Sequence, residues 1–236
     1  MRVIAAQPKL VAQVHDALLS EIAQGALPPG TRIIQEQIAQ ELGVSRQPVQ
    51  QALLLLRNHG VLTDAPGRGL IVAPLELQYV RNVYDIRSVV EGLAFRRAAE
   101  RGADLARRLG PTLIEKGRAA IASGVITDMI AADLEFHGFI HDLAKNSLIA
   151  PMMQAQWTCT QRVMGEAMMN PASARNIWDE HETMLRAVIA GDGDRADELA
   201  RQHIIDAAAI VVDRLQAEKQ AQPVARPELM TGTGTP

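Results

Sequence analysis

Residues 38–56 read IAQELGVSRQPVQQALLLL, and their pattern indicates the structure of the N-terminal part of the chain. A short helix is predicted over 35–42, because apolar residues recur there at helical spacing and Gly43 follows as a stop signal. A second helix is predicted from Ser45, a favourable N-cap, to about His59. Two short helices joined by a tight turn form a helix-turn-helix motif.

The segments on either side complete a winged form of this motif. An amphipathic helix is predicted over residues 9–24, and the residues that follow it, ALPPGTRI, are predicted to form a turn. After the second helix of the motif, VLTD (61–64) and LIVAP (70–74) are β-prone, and the intervening APGRG contains glycines that permit a tight turn. The resulting hairpin is the expected wing.

The second helix of the motif separates its polar and apolar residues. Polar side chains crowd its N-terminal end, whereas apolar side chains are spaced to pack inward: Ser45, Arg46, Gln47, Gln50 and Gln51 are polar, and Val49, Leu53 and Leu56 are apolar. A recognition helix in the major groove of DNA presents its N-terminal residues to base edges. Arginine bonds phosphate or guanine, and glutamine bonds adenine. The polar residues alone also suit an ordinary solvated helix start.

From about Leu75 onward, amphipathic helices follow one another without β-prone segments. Gly110-Pro111 is expected to kink or split one of them. Residues 219–236 lack apolar periodicity and are expected to form a disordered tail. The sequence predicts a mainly α protein, with a winged helix-turn-helix domain at 7–74 and an all-α helical bundle at 75–218. Six helices are predicted in the bundle, near residues 76–101, 104–122, 126–144, 148–169, 173–190 and 194–218.

Composition argues against several classes of protein. No stretch reaches the ~18 uncharged apolar residues of a membrane helix, so a cytoplasmic protein without membrane association is expected. The single cysteine, Cys159, excludes an intramolecular disulfide and is interpreted as a packed thiol. The net charge of -3 does not itself indicate nucleic-acid binding, so that hypothesis depends on the motif.

Three helices of the predicted bundle carry histidine within an apolar stripe. Asp133 and His137 lie four residues apart on one of them, and His181 and His203 occupy similar stripes on the last two. Residues four apart are neighbours on a helix surface, so a carboxylate and an imidazole can converge on one ion. A divalent cation would also offset the cost of burying an aspartate. The predicted cofactor is one divalent metal ion per chain: Zn, Ni, Mn or Fe.

A single histidine on an apolar face is more often a core residue than a ligand, and the combination of three with an aspartate is what favours metal. Other polar or aromatic residues nearby are interpreted as structural because they lie off these stripes or in the other domain: His15, Phe139 and His141. The neighbouring acids are expected to point away from the site, which leaves it without an evident general base: Glu135, Glu180 and Glu182.

The segments LPPGTRI, IAQELGVSRQPVQQAL and APGRGLIV resemble the winged helix of the GntR family of transcription regulators, over roughly residues 7–74. The resemblance implies DNA contacts from Arg32, Arg46 and the wing tip, although a merely solvated Arg68 is an alternative. The family usually carries arginine and glutamate where this chain has Gln50 and Gln51, so its base preference is expected to differ. The predicted DNA-contacting residues are Arg32, Ser45, Arg46, Gln47, Gln50, Gly67 and Arg68.

The patterns DLEFHGFIHDLAKN, DEHETMLRAVIAGD and ARQHI resemble the FCD ligand-sensing domain of the FadR-type GntR subfamily, over about residues 75–218 and in its smaller form. The resemblance implies that Arg87, in YDIRSVVEG, points into the metal cavity and holds an effector carboxylate. A surface ion pair of Arg87 with Asp85, Glu91 or another acid is the alternative. The resemblance also implies the metal ligands: Asp133, His137, His181 and His203.

These features predict a ligand-responsive transcription regulator, in this family more often a repressor, that binds double-stranded operator DNA. One recognition helix contacts few base pairs, so a homodimer on an inverted repeat is expected. A small carboxylate effector at the metal is expected to control operator affinity. The alternatives are a metalloenzyme that uses the Asp/His₃ site and a metal-stabilised interaction protein. The interaction protein would leave the winged-helix motif without a role.

Overall fold

The computed structural model describes residues 8–154, 156–168 and 171–221. The N-terminal part contains α1 (Pro8–Ala23), β1 (Arg32–Ile33), α2 (Gln35–Glu41), α3 (Arg46–Asn58), β2 (Leu62–Asp64) and β3 (Leu70–Val72). The C-terminal part contains α4 (Leu77–Ser123), α5 (Ile126–Leu143), α6 (Ile149–Gln154), α7 (Trp157–Met168), α8 (Pro171–Ala190) and α9 (Gly193–Ala221). No helix within these residues is both long enough and apolar enough to cross a membrane.

The N-terminal part is the predicted winged helix-turn-helix. Helix α3 buries Val49, Leu53 and Leu56 in a core that it shares with Val14 and Leu18 of α1. The three strands pair antiparallel in the order β1-β3-β2, and the β2–β3 hairpin forms the wing. A mainly α fold with a winged N-terminal part is therefore confirmed.

Helix α4 is one continuous helix of 47 residues, so the predicted break between helices at 76–101 and 104–122 is wrong. Pro111 lies inside this helix and is exposed. The small residues around it let α8 approach closely, because an ideal Cβ at Gly110 would lie 2.5 Å from a methyl carbon of Leu185. Tertiary packing against α8 thus overrides the local helix-breaking preference of Gly-Pro.

The helix predicted over 148–169 is two helices, α6 and α7. The backbone N–H of Gln156 donates to the carbonyl oxygen of Met153 at 2.8 Å, a tighter turn than that of an α-helix. Helix α7 then begins at Trp157 and contacts α1. At the other end of the chain, α9 runs to Ala221, past the predicted start of the tail at 219, and the rest of that predicted tail lies outside the described residues.

Helix α7 packs against the N-terminal part of the chain. The closest approach is at Gly165, where an ideal Cβ would lie 2.0 Å from a backbone carbonyl oxygen of α1. A side chain at this position would therefore force the two helices apart. Contacts along α7 include Thr158 with His59, Arg162 with the carbonyl oxygen of Ala73, and Gly165 with the carbonyl oxygen of Ala23.

Candidate nucleic-acid interface and metal centre

The N-terminal end of helix α3 forms one part of the candidate DNA interface. Ser45 is its N-cap, with an extended backbone (φ -73°, ψ 162°). Arg46, Gln47 and Gln50 are exposed, whereas Val49 is fully buried. The first N–H groups of a helix have no intrahelical partners, and they attract phosphate oxygens. This end of α3 can therefore contact both the DNA backbone and base edges.

The structure places the glutamines of α3 on different sides of the helix. Gln50 lies on the side that includes Arg57, next to the wing. Gln47 instead lines a groove between the N-terminal part and the bundle, which Trp157 also lines, and Gln51 borders both this groove and the pocket next to the wing. Of the predicted base-reading glutamines, Gln50 therefore lies on the side next to the wing.

A second cationic region lies where β1 meets the wing. The guanidinium of Arg32 donates a hydrogen bond to the backbone carbonyl oxygen of Arg68. Gly67 has a φ of 92°, a left-handed conformation that favours glycine at the hairpin tip. The side chain of Arg68 is exposed. Arg32 thus braces the wing and leaves the Arg68 side chain at the surface.

Arg46 has a partner before any DNA binds. It forms a salt bridge with Glu36 near the start of α2, and the two side chains are 65% and 71% exposed. Exposed ion pairs contribute only about 0–1 kcal/mol. A DNA phosphate can therefore replace Glu36 at little energetic cost.

The candidate metal centre lies in the middle of the bundle. Helix α5 supplies Asp133 and His137, α8 supplies His181, and α9 supplies His203. All four side chains are buried, and one ligand atom from each lies within 4.8 Å of the others. Nε2 of His181 is 3.4 Å from Oδ1 of Asp133. The structure thus brings together the four residues that the sequence singled out.

Several nitrogen atoms in this group have no hydrogen-bond partner among the described residues. They are Nε2 of His137 and both ring nitrogens of His181. A buried polar atom without a partner is costly, so native proteins rarely leave several together. A donor set of imidazole nitrogens and a carboxylate is also what transition-metal ions prefer. The residues present therefore fit a divalent metal ion.

The electrostatics keep His181 neutral. Burial, together with the nearby His203 and His137, holds the pKa of His181 well below its ordinary value. A neutral imidazole offers a lone pair, whereas a protonated imidazole cannot bind metal. His181 is thus held in the form that a metal ion requires.

Glu91 is a buried acid that the sequence interpretation missed as part of the site. Its Oε2 is 3.1 Å from Nδ1 of His137 and 3.1 Å from Nε2 of His141. Burial opposes the charged carboxylate, yet His137 and His141 hold the pKa of Glu91 well below its ordinary value. For His137, burial alone would lower the pKa. The nearby carboxylates of Glu91 and Asp133 together have the larger effect, so the pKa of His137 lies above its ordinary value.

Arg87 points inward, as one of the two sequence interpretations required. Its Nη2 is 3.8 Å from Oε1 of Glu91, and both side chains are almost completely buried. The alternative interpretation, an ion pair at the surface, is therefore wrong because this pair is buried. Its partner, Glu91, is nevertheless one of the acids that the alternative named. The Arg87 guanidinium also lies over the ring of Tyr84, 4.8 Å from its centroid.

The remaining acids near the stripes lie outside the ligand group. Glu135 forms an ion pair with Lys116, and Glu182 does so with Arg118, as expected for residues that point away from the site. Glu180 differs from that expectation, because its Oε2 is 2.7 Å from Nδ1 of His203.

Aromatic side chains hold the ring of His181. The ring centroids of Trp178 and Phe136 each lie 4.6 Å from that of His181. Trp178 is 1% exposed and fills the space beside Gly117, where an ideal Cβ would lie 2.0 Å from the indole ring. The imidazole therefore has little freedom to move away from Asp133.

A winged helix-turn-helix with an exposed recognition helix, joined to a helical bundle, defines a two-part transcription regulator. The family described as "Bacterial regulatory proteins, gntR family" matches residues 10–72, and the FCD domain matches residues 82–206. The chain belongs to the GntR family, in the group that carries an FCD domain. It is a DNA-binding transcription regulator and not an enzyme, so the metalloenzyme alternative is wrong.

Relatives of known class extend over most of the chain. The HTH-type transcriptional regulator McbR of Escherichia coli K12 is 28% identical over 191 residues, which cover 78% of this chain and 84% of that protein. The HTH-type transcriptional repressor RspR of the same organism is 24% identical over 192 residues, with coverage of 81% and 84%. The solved structure of E. coli McbR/YncC has the same fold, with a TM-score of 0.76, 24% identity and coverage of 90% of this chain and 100% of that one.

Proposed function

We propose that the protein is a cytoplasmic repressor that binds an inverted-repeat operator as a homodimer and responds to a small carboxylate metabolite. The effector binds at a divalent metal ion in the bundle, and its binding changes the affinity for the operator. The observation that carries this proposal is the buried group of Asp133, His137, His181 and His203, with ring nitrogens unpartnered in the described part of the chain. In a core that served only packing, buried ring nitrogens without hydrogen-bond partners would destabilise the fold.

One metal ion per chain fits this group. One carboxylate oxygen and three imidazole nitrogens suit Zn²⁺, Ni²⁺, Mn²⁺ or Fe²⁺. When bound, such an ion would offset the charge of Asp133 and offer open positions to oxygen ligands. The protein residues fix the geometry, since the aromatic rings around His181 and the outer acids on His137 and His203 hold the imidazoles in place.

Arg87 is the proposed partner of the effector's negative charge. The distance of 3.8 Å to Glu91 is too long for a hydrogen bond, and Nε of Arg87 has no partner within the described residues. The guanidinium therefore retains a donor, on Nε, for a second acid group of the effector. Charge-assisted bonds from arginine to carboxylate are short and can be bidentate.

Two observations support repression by a homodimer. RspR, a relative over most of its length, is named as a repressor. On the outer side of α4, Ile86 and Val89 are 52% and 54% exposed, which leaves apolar surface for a second copy of the chain. Light scattering should give a mass twice that of the 25.6 kDa chain, and a monomer at working concentration would contradict the dimer.

Replacing Gln50 by alanine should relax the sequence preference at one position of each half-site. A good base contact contributes about 1–3 kcal/mol of discrimination, so the preferred base there should lose most of its advantage. Arg46→Ala should instead weaken operator binding as a whole. A binding selection on randomised operators measures both effects, with the operator first located by genomic footprinting. Gln78→Ala, an exposed glutamine of α4, is the control, and an unchanged preference for Gln50→Ala would remove Gln50 from the readout.

Replacing Arg87 by lysine should weaken effector binding while it keeps the positive charge beside Glu91. Lysine cannot form the paired bonds that a planar guanidinium forms with a carboxylate. A thermal-shift screen of sugar acids, hydroxy acids, dicarboxylates and amino acids should first identify a ligand of the wild type. That ligand should change operator affinity by about 5- to 150-fold in the wild type, and by clearly less in Arg87→Lys. An equal response in both proteins would place the effector elsewhere.

A further inference from the structure

His137 is the proposed ligand whose orientation depends most on a neighbour. Either ring nitrogen of a neutral imidazole can carry the proton, and the other nitrogen then holds the lone pair. Nδ1 of His137 lies 3.1 Å from Oε2 of Glu91. Nε2 is buried and has no hydrogen-bond partner in the part of the chain that the structure describes. The two nitrogens therefore have different surroundings, and one of them is free to bind metal.

We propose that Glu91 is a positioning residue of the metal centre, which holds the proton of His137 on Nδ1 and so presents the Nε2 lone pair to the ion. The inference rests on the proposed metal function. An ionised carboxylate accepts hydrogen bonds and cannot donate them. Because Oε2 of Glu91 also lies 3.1 Å from Nε2 of His141, both rings must direct an N–H group toward the same oxygen.

The surroundings of Glu91 keep this carboxylate in place. The side chain is fully buried, and such a charge is stable only when hydrogen bonds and an opposite charge offset its lost hydration. His137 and His141 supply the hydrogen bonds, and Arg87, one helical turn earlier on α4, supplies the positive charge at 3.8 Å. Carboxylates that orient a metal-binding histidine in this way also raise its basicity as a ligand.

A second ion held by Glu91, His137 and His141 is the competing interpretation of the same cluster. These residues offer three ligand atoms within 4.8 Å of one another. Arg87 argues against an ion there, because its guanidinium already places a positive charge next to Oε1 of Glu91. A second ion would also compete with the first for His137. If Glu91 instead accepts hydrogen bonds from His137 and His141, the charge of Arg87 is favourable and His137 stays available to one ion.

Glu180 provides a comparison within the same protein. Its Oε2 is 2.7 Å from Nδ1 of His203, so it holds a second ligand in the same way. Its side chain is 45% exposed, however, whereas that of Glu91 is 0% exposed. Water can replace an exposed acceptor but cannot easily reach a buried one. The loss of Glu91 should therefore weaken metal binding more than the loss of Glu180.

The test uses full-length protein and Zn²⁺ as the probe, in competition with a chromophoric chelator. We expect Glu91→Gln to bind Zn²⁺ about 10- to 100-fold more weakly than the wild type, and Glu180→Gln to lose less. Nitrogen NMR of the metal-free wild type, at a pH high enough for His137 to be neutral, should also show the proton on Nδ1, and this tautomer should lose its dominance in Glu91→Gln. Zn²⁺ affinity of Glu91→Gln within twofold of the wild type would overturn the proposal, as would a neutral His137 that carries its proton on Nε2 in the wild type.

The NMR measurement on the wild type decides the tautomer even where Glu91→Gln does not fold, since that variant leaves Arg87 without its buried partner. Zn²⁺ binding by the wild type separates the two hypotheses. A wild type that takes up no Zn²⁺ overturns the proposed metal function itself. If the wild type binds Zn²⁺ and Glu91→Gln binds it with the same affinity, only the proposed role of Glu91 is overturned.

Discussion

His181→Ala should bind divalent metal about 100- to 1000-fold more weakly than the wild type. Zinc sites with four protein ligands contribute about 10–16 kcal/mol, so one ligand of four accounts for roughly 2.5–4 kcal/mol. His181 is fully buried and is held next to Asp133 by the rings around it, so its removal leaves three of the four proposed ligands. Competition with a chelator measures the change for Zn²⁺, and elemental analysis gives the metal content of the purified protein.

The control for this experiment is His15→Ala, which removes a histidine of α1 that is not one of the four proposed ligands. Its metal content should match that of the wild type. Metal-free wild-type protein after purification without chelators, with no uptake on titration, would refute the site. Equal losses in His15→Ala and His181→Ala would point instead to a general loss of structure, which circular dichroism would detect.

Trp178→Ala should destabilise the protein by about 3–5 kcal/mol. Replacing a buried large aromatic residue by alanine removes its hydrophobic contribution and leaves a cavity. The indole of Trp178 fills the gap that Gly117 leaves in α4, and it packs on the ring of His181. The variant should therefore also bind metal more weakly, because His181 gains room to move. Urea unfolding of the metal-free protein measures the free energy of unfolding without the contribution of a bound ion.

Tyr79→Ala is the matched control, since Tyr79 is an aromatic residue of α4 that is 47% exposed. Surface substitutions usually change stability by no more than about 0.5 kcal/mol. If Trp178→Ala destabilised the protein no more than Tyr79→Ala, the packing of α4 against α8 around this tryptophan would not be a main source of stability.

The parts of the fold that local pattern determines were predictable. The helix-turn-helix follows from helical periodicity, Gly43 as a stop and Ser45 as a cap, which all act within a few residues. The length of α4 was not predictable in this way, because Pro111 gives a local signal to stop. What keeps the helix continuous is the close fit of Gly110 and Gly117 against α8, a contact between residues far apart in sequence.

The candidate metal centre shows the same division. Asp133 and His137 stand four apart on one stripe, and His181 and His203 lie on similar stripes, so the sequence could identify all four. Glu91 carries no comparable signal, since its importance depends on where α4 crosses α5. The sequence suggested Glu91 as a surface partner of Arg87. The structure shows that it also joins His137 to His141 in the interior.

The attachment of α7 to the N-terminal part matters for the construction of chimeric regulators. A sensor bundle grafted onto another winged helix would keep its own α7 but would meet a different α1 and a different linker. The carbonyl oxygen that approaches Gly165 and the one that accepts from Arg162 both belong to backbone, so their positions depend on the geometry of the new partner and not on its side chains. A graft should therefore keep the bundle together with α1 and with the linker that contains Ala73. Only the exposed residues of α3 and the wing should be exchanged.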